Sequence, residues 1–273
     1  MQKPIITRRN FLFGSGAAAS IAALAGLIEP KWLRVSEHDV PIAKLPKALD
    51  GYRIAHITDA HLRNISTVEK AIIQEIISRD IPLVVLTGDI IDNSSPIPVL
   101  EEFCRNLDGN RRTILAALGN WEHLCHLPIN ALRSKYQAHK IRLLINESLL
   151  IDSAISVAAT DDLTRGNVLL SRTMKDRTVA AANLFFTHSP KLLDQIPATI
   201  GRFDLALAGH THGGQCRIGS FAPVRPPGSG RFVSGWYKIP IGKAYVSCGT
   251  GTSSIPIRIF CRPELSIFTL RQG

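Results

Sequence analysis

Cysteine is scarce in this chain. Five occur in 273 residues, at positions 104, 125, 216, 248 and 261, an odd number with no C-x-x-C spacing. This argues against a disulfide framework and a structural zinc knuckle, and leaves core thiols with at most one bridge. Aromatic residues make up only 6%, and no long basic run interleaves with them, so a nucleic-acid track is not expected. With 45% apolar and 20% charged residues, the chain is a folded globular protein of one large domain or two small ones. Disorder, collagen and coiled coil are excluded. A net charge of +10 favours anionic partners without separating phosphate ester, nucleic acid and anionic membrane surface.

Residues 1–30 read as an address. Lys3, Arg8 and Arg9 precede Phe11–Ile28, which is uncharged and rich in Ala and Gly, as in a targeting element. Thr7-Arg8-Arg9-Asn10-Phe11-Leu12 resembles the twin-arginine export signal, and Ala23-Leu24-Ala25 offers a small-x-small cleavage site. The expectation is therefore export through the twin-arginine machinery, to the periplasm or the outer face of the cytoplasmic membrane. Eighteen uncharged residues also reach the lower edge of a membrane span, so a retained anchor stays open, as does an ordinary buried helix. Residues 31–50 are read as a lead-in segment.

From residue 40 onward, short apolar runs alternate with helical patterns. Ser66-Thr67-Val68-Glu69 reads as a capping box, and Val68, Ile72 and Ile76 recur at helical spacing. Further helices are expected over 99–106 and 128–137. Strands are expected at Ile54–Thr58, Leu83–Thr87, Ile114–Leu118, Leu184–Thr187 and Leu205–Ala208. This alternation means a sheet covered by helices.

The residues just past each strand carry the chemistry. The first strand runs into Asp59-Ala60-His61, the second into Gly88-Asp89-Ile90-Ile91-Asp92, and the third into Gly119-Asn120. The fourth ends at His188 and the fifth at Gly209-His210-Thr211-His212. Five consecutive strands thus each present a metal-competent side chain at the carboxyl end, where open sheets bind ligands. Carboxylate, imidazole and amide without thiolate suit Mn, Fe, Zn, Ni or Co and disfavour Cu(I) or an iron–sulfur cluster. Seven ligands exceed one ion and suit two divalent cations sharing a carboxylate bridge, for which Asp89 is the expected residue. Asp92 reads equally as support for its loop or as a turn cap, and Asp161-Asp162, after Ser156–Ala159, as a turn in preference to a lining of the site.

The ordered set D-x-H, G-D-x-x-D, G-N, a lone His and G-H-x-H, from about residue 50 onward, resembles the calcineurin-like metallophosphoesterases. Gly209–Gln215, Phe221-Ala222-Pro223-Val224 and Cys261-Arg262-Pro263-Glu264 are similar, more narrowly, to the YaeI-type branch. The resemblance implies an α+β fold, a four-layer αββα sandwich over residues 51–273, with a dinuclear centre (Mn, Fe or Zn) at the strand carboxyl ends. It implies that Asp59, His61, Asp89 and His212 hold one metal, and Asp89, Asn120, His188 and His210 the other. It also implies phosphodiester or pyrophosphate hydrolysis, by in-line attack of a water activated between the metals. The substrate would be an anionic phosphate ester, with a lipid-linked nucleotide sugar such as UDP-diacylglucosamine as one member of that class.

The third motif departs from the family's G-N-H-[DE]: the run is Gly119-Asn120-Trp121-Glu122-His123. Trp121 can donate a hydrogen bond but transfers no proton at physiological pH. Three outcomes stay open. His123 takes the catalytic role, helped by Glu122; or the leaving group needs no acid; or catalysis is lost. The basic, aromatic stretch 219–243, with Arg225, Arg231 and Trp236, reads as a flap over the second metal or as a surface hairpin. A nuclease ranks lower for want of a basic track. A non-catalytic metal-binding protein at the membrane is disfavoured by the complete ligand set, and a metallo-β-lactamase type by the absence of H-x-H-x-D-H.

Overall fold

The computed structural model describes residues 26–273 apart from Ser94, Ser220 and Ser254. The twin-arginine-like hexad and the Ala23–Ala25 cleavage site lie outside the described residues. Two six-stranded mixed sheets face each other. The first contains β1 (Arg34–Ile42), β2 (Arg53–Ile57), β3 (Leu83–Thr87), β4 (Thr113–Ala117), β5 (Ile141–Leu143) and β12 (Glu264–Gln272), in the order β1-β12-β2-β3-β4-β5. The second contains β6 (Glu147–Ile151), β7 (Ile155–Ala159), β8 (Ala182–Phe186), β9 (Phe203–Ala208), β10 (Gly235–Ile239) and β11 (Gly242–Val246), in the order β10-β11-β9-β8-β7-β6.

The apolar runs are continuous because the central strands are covered on both faces. Along β3, Leu83 and Val85 point between the sheets, toward Val157, Leu184 and Leu205. Val84 and Leu86 point outward, to a layer formed by α1 (Thr67–Ser78), α2 (Ile97–Leu107) and the later α4 (Ile129–Ala138). Between α2 and α4 comes one short helix, α3 (Asn120–Leu124). On the far face of the second sheet, Phe185 and Ala206 pack against Leu192 and Leu193 of α6 (Leu192–Gln195), with Leu170 of α5 (Leu170–Lys175) beside them. The layers are therefore αββα, as the resemblance implies.

The capping box forms as read: Val68 N donates to Ser66 Oγ at 3.1 Å and Ser66 N to Glu69 Oε2 at 2.8 Å. Val68, Ile72 and Ile76 fill the face toward the sheet. Two expectations are corrected, and a third that was left open is decided. The five ligand-bearing strands are not consecutive: β2, β3 and β4 belong to one sheet, β8 and β9 to the other, with β5–β7 between them. The lead-in 31–50 is not separate from the domain, because Arg34–Ile42 pairs in parallel with β12 along its whole length. In the 219–243 stretch, Trp236 lies on the β10–β11 hairpin and packs on Tyr245 and Phe268, while Arg231 is held by Asp194 at 2.9 Å. That part is a surface hairpin.

One buried carboxylate ties the sheets together. Glu264 on β12 accepts from Arg34 of β1 at 2.7 Å, from the Tyr245 hydroxyl of β11 at 2.7 Å and from Cys248 N at 3.0 Å. Burial alone would raise its pKa, but Arg34 and these donors outweigh that and hold it below the usual carboxylate range. Its ionised form therefore stabilises the fold above the unfolded-state pKa, and that contribution is lost as pH falls through the depressed folded value. Glu264→Gln should cost about 3 kcal/mol at neutral pH, read by chemical denaturation. The deficit should shrink toward acid pH, and a deficit independent of pH would refute the ionised clip.

Candidate metal centre

The chain leaves β2, β3 and β9 through a conformation that side chains ordinarily avoid. Asp59 (φ 53°), His61 (43°), Asp89 (52°), His210 (70°) and His212 (49°) all lie in the left-handed region. Such residues cost roughly 1–3 kcal/mol each and persist only where the surroundings fix them. Their concentration at one edge marks the site. Close approach adds a second constraint: a Cβ at Gly119 would run into the Asp89 carboxylate, and one at Gly209 into Thr58 and Asp59.

The seven side chains read from the sequence come together here as two adjoining groups. In the first, Asp59, His61 and His212 each offer a ligand atom, all within 4.8 Å of one another. His212 Nε2 lies 3.4 Å from Asp59 Oδ1 and 3.2 Å from His61 Nε2. The second group is Asp89, His188 and His210, with His188 Nε2 at 3.1 Å from Asp89 Oδ2, 3.1 Å from His210 Nδ1 and 3.2 Å from Asn120 Oδ1. Asp89 Oδ1 is taken by the Trp121 backbone N–H at 2.8 Å. Its other oxygen stands between the groups, 3.1 Å from His188 and 3.9 Å from His61.

The outer atoms of the imidazoles aim the inner ones. His188 Nδ1 donates to Thr87 O at 2.8 Å and His210 Nε2 to Pro227 O at 2.7 Å, while His61 Nδ1 lies 3.3 Å from Asp92 Oδ2. Each of these three rings thereby turns its other nitrogen inward, the arrangement that orients metal-ligating histidines. Asp59 is fixed by the His210 N–H at 2.9 and 3.0 Å and by the Thr58 hydroxyl at 2.8 Å. Asp92 thus touches a ligand, and its Oδ2 also lies 3.8 Å from Arg63.

Asp59 and Asp89 are buried at 0% and 2% exposure. Among the described residues their ion pairs are to imidazoles alone. Burial opposes a charge on His188, yet the adjacent Asp89 and Asp59 outweigh it and hold its pKa well above the ordinary value. Burial and the His61 ring push His212 well below it. Two anions without a fixed cation, facing convergent nitrogen and oxygen donors, fit a pair of divalent cations of hard-to-borderline character. Cys261 contributes no thiolate ligand, since its sulfur sits against the His212 carbonyl at 3.2 Å.

The expectation that Glu122 assists His123 is corrected. Glu122 is buried and accepts the backbone N–H groups of Asp89, Ile90 and Gly119 at 2.7–2.8 Å, so it braces the loop that carries Asp89. The partner of His123 is Asp161, with Nε2 to Oδ1 at 2.7 Å. Asp161 is no simple turn residue: it also accepts from Asn167 N and Asp162 N. A signal for it existed, because β7 ends like the ligand-bearing strands, apolar residues followed by an acid. The Trp121 ring meets the His61 ring edge-on at 6.1 Å.

Residues 52–214 match the calcineurin-like phosphoesterase family, and the chain belongs to that family. With its two ligand clusters it is a metal-dependent phosphoester hydrolase with a dinuclear site. It is similar to the uncharacterized metallophosphoesterase YkuE of Bacillus subtilis, 29% identical over 97% of this chain and 98% of that one. It is also similar to the phosphodiesterase YaeI of Escherichia coli, 27% identical over 97% and 100% of the two chains. A solved dimetal phosphatase from Danio rerio covers 74% of this chain and 88% of its own at 12% identity, with a TM-score of 0.42.

An Asp89 oxygen standing between the two groups would make the ligands unequal. His210→Ala should leave one bound metal equivalent, whereas Asp89→Ala should abolish both, and Gly119→Ala should follow Asp89→Ala because its methyl displaces that carboxylate. Elemental analysis of purified, folded variants reads this directly. Equal loss from His210→Ala and Asp89→Ala would deny the bridge.

Proposed function

We propose that the centre hydrolyses phosphodiester or pyrophosphate bonds, with His123 as proton donor to the leaving group. The observation that carries this reading is the Asp89 oxygen standing between two carboxylate–imidazole groups. The likeness to a phosphodiesterase along nearly the whole chain supports the diester assignment. Two divalent cations held there would neutralise the charge of a phosphoryl group and lower the pKa of water, so that hydroxide is available to attack it. The protein's own residues do the rest. Asp59, Asn120 and the four imidazoles fix positions, and Asp92, Thr87 and Pro227 hold the rings in register.

His123 lies three residues after Asn120 on α3, on the same helical face. Its hydrogen bond to Asp161 raises its pKa against the effect of partial burial, which favours the protonated ring. That is the form a general acid needs. The substrate class is a lipid-linked nucleotide sugar of the UDP-diacylglucosamine kind. The location is the outer face of the cytoplasmic membrane, on the strength of the Thr7–Leu12 hexad and the uncharged Phe11–Ile28 run.

One observation favours a second reading. Trp121 occupies the place of the motif histidine against His61, which suits a phosphate leaving group that departs unprotonated. His123→Gln should slow cleavage of an alkyl phosphodiester by about 10²–10⁴ while sparing one with a p-nitrophenolate leaving group. Asp161→Asn removes the anion that raises the His123 pKa, so the alkaline limb of the alkyl-diester profile should move to lower pH. If His123→Gln changes neither substrate while Trp121→His speeds the alkyl diester, the acid-free reading replaces this one.

A further inference from the structure

Of the fourteen large apolar side chains exposed among the described residues, eight fall on three short segments beside the metal centre. Ile218 (75% exposed), Phe221 (68%) and Val224 (75%) come from the loop after the His210–His212 motif; Ile255 (59%) and Phe260 (62%) precede β12. Leu27, Ile28 and Trp32 come from the segment at which the described chain begins.

The three segments are laced into one rim. Arg217 donates from its backbone N to Ile259 O and from Nε to Phe260 O, both at 3.0 Å, and the Gln215 amide donates to Ile255 O at 2.8 Å. Arg258 N donates to Gly26 O at 3.1 Å and Cys261 N to Glu29 Oε2 at 3.1 Å. The rim borders the metal site: Pro30 and Thr252 line a cavity of about 130 Å³ together with the ligand His61 and with Arg63. Gln215 is only three residues beyond the ligand His212.

We propose that this rim docks on an anionic lipid bilayer and sets the mouth of the metal centre against the membrane surface. An apolar cluster of this extent marks a binding surface, and three features select a bilayer. The apolar groups project from turns between cations, a composition suited to the headgroup boundary. Across residues 26–33, 215–225 and 252–263, and leaving out the fully buried Arg258, the cations Lys31, Arg217, Arg225 and Arg262 face a single acid, Glu29, whose carboxylate is engaged by Cys261 N–H. The uncharged run Phe11–Ile28 ends on this rim, where Gly26 packs on Ile257 and Ile259. The surface serves the hydrolase reading given above, supplying a lipid-linked phosphate ester from the plane in which it resides, but its test does not depend on hydrolysis.

The test uses the full chain with vesicles of phosphatidylcholine alone and of phosphatidylcholine with phosphatidylglycerol. Hydrogen exchange should show vesicle-dependent protection in peptides covering 215–225 and 255–262, stronger with phosphatidylglycerol. The double variant Phe221→Ser/Phe260→Ser, which alters only exposed side chains, should keep its melting temperature and its rate on bis-p-nitrophenyl phosphate. It should lose that protection and bind vesicles at least about tenfold more weakly. Protection confined to peptides from the first thirty residues would overturn the proposal, as would vesicle binding unchanged in the variant. So would a wild-type dimer that the variant dissolves, since the rim would then be a protein interface. A protein that binds vesicles through the rim but hydrolyses nothing would defeat the functional reading and leave the surface standing.

Discussion

Two carboxylates taken out of water, Asp59 and Asp89, with no fixed cation to face them, set the terms for the rest of this structure. A buried unpaired carboxylate costs several kcal/mol, so the fold has to supply compensation at that spot. It does so with four imidazoles and with backbone N–H groups directed at Asp59 and, from Trp121, at Asp89. The same convergence that makes the site costly for the protein alone makes it favourable for divalent cations. Left-handed backbone at five ligand residues and glycines pressed against the carboxylates are further costs of that convergence.

The two-sheet architecture is what permits it. Strands β2, β3 and β4 deliver Asp59, His61, Asp89 and Asn120 from one sheet, and β8 and β9 deliver His188, His210 and His212 from the other. The inter-sheet core of Leu83, Val85, Leu184 and Leu205 fixes the separation of the two contributions. Glu122, buried among the N–H groups of the Asp89 loop, holds the shared carboxylate in place from behind. A core defect would therefore be felt at the metals before it was felt as unfolding.

The ligand residues were legible because each sits at the end of an apolar run, where local sequence alone identifies a strand exit. The capping box at Ser66 was legible for the same reason, since its partners are three residues apart. The features that escaped the sequence were nonlocal. Arg34–Ile42 lacks a long apolar run, and its partner strand is more than two hundred residues away, so it read as a lead-in. Asp161 meets His123 across 38 positions, and nothing near either residue announces the other. Glu122 adjoins His123 in sequence, which suggested a pair; on a helix adjacent residues point apart, and Glu122 turns inward to the backbone. The grouping of strands into two sheets was likewise invisible, because alternation shows that strands exist and not which ones pair.

The central claim is that Asp89 holds two cations at once. Crystals grown with manganese and measured for anomalous scattering test it most directly. A bridging Asp89 requires two peaks on either side of Oδ2, one within reach of His61 and His212 and the other of His188 and His210. A single peak at full metal saturation, or two peaks that leave Asp89 uncoordinated by either, would contradict it.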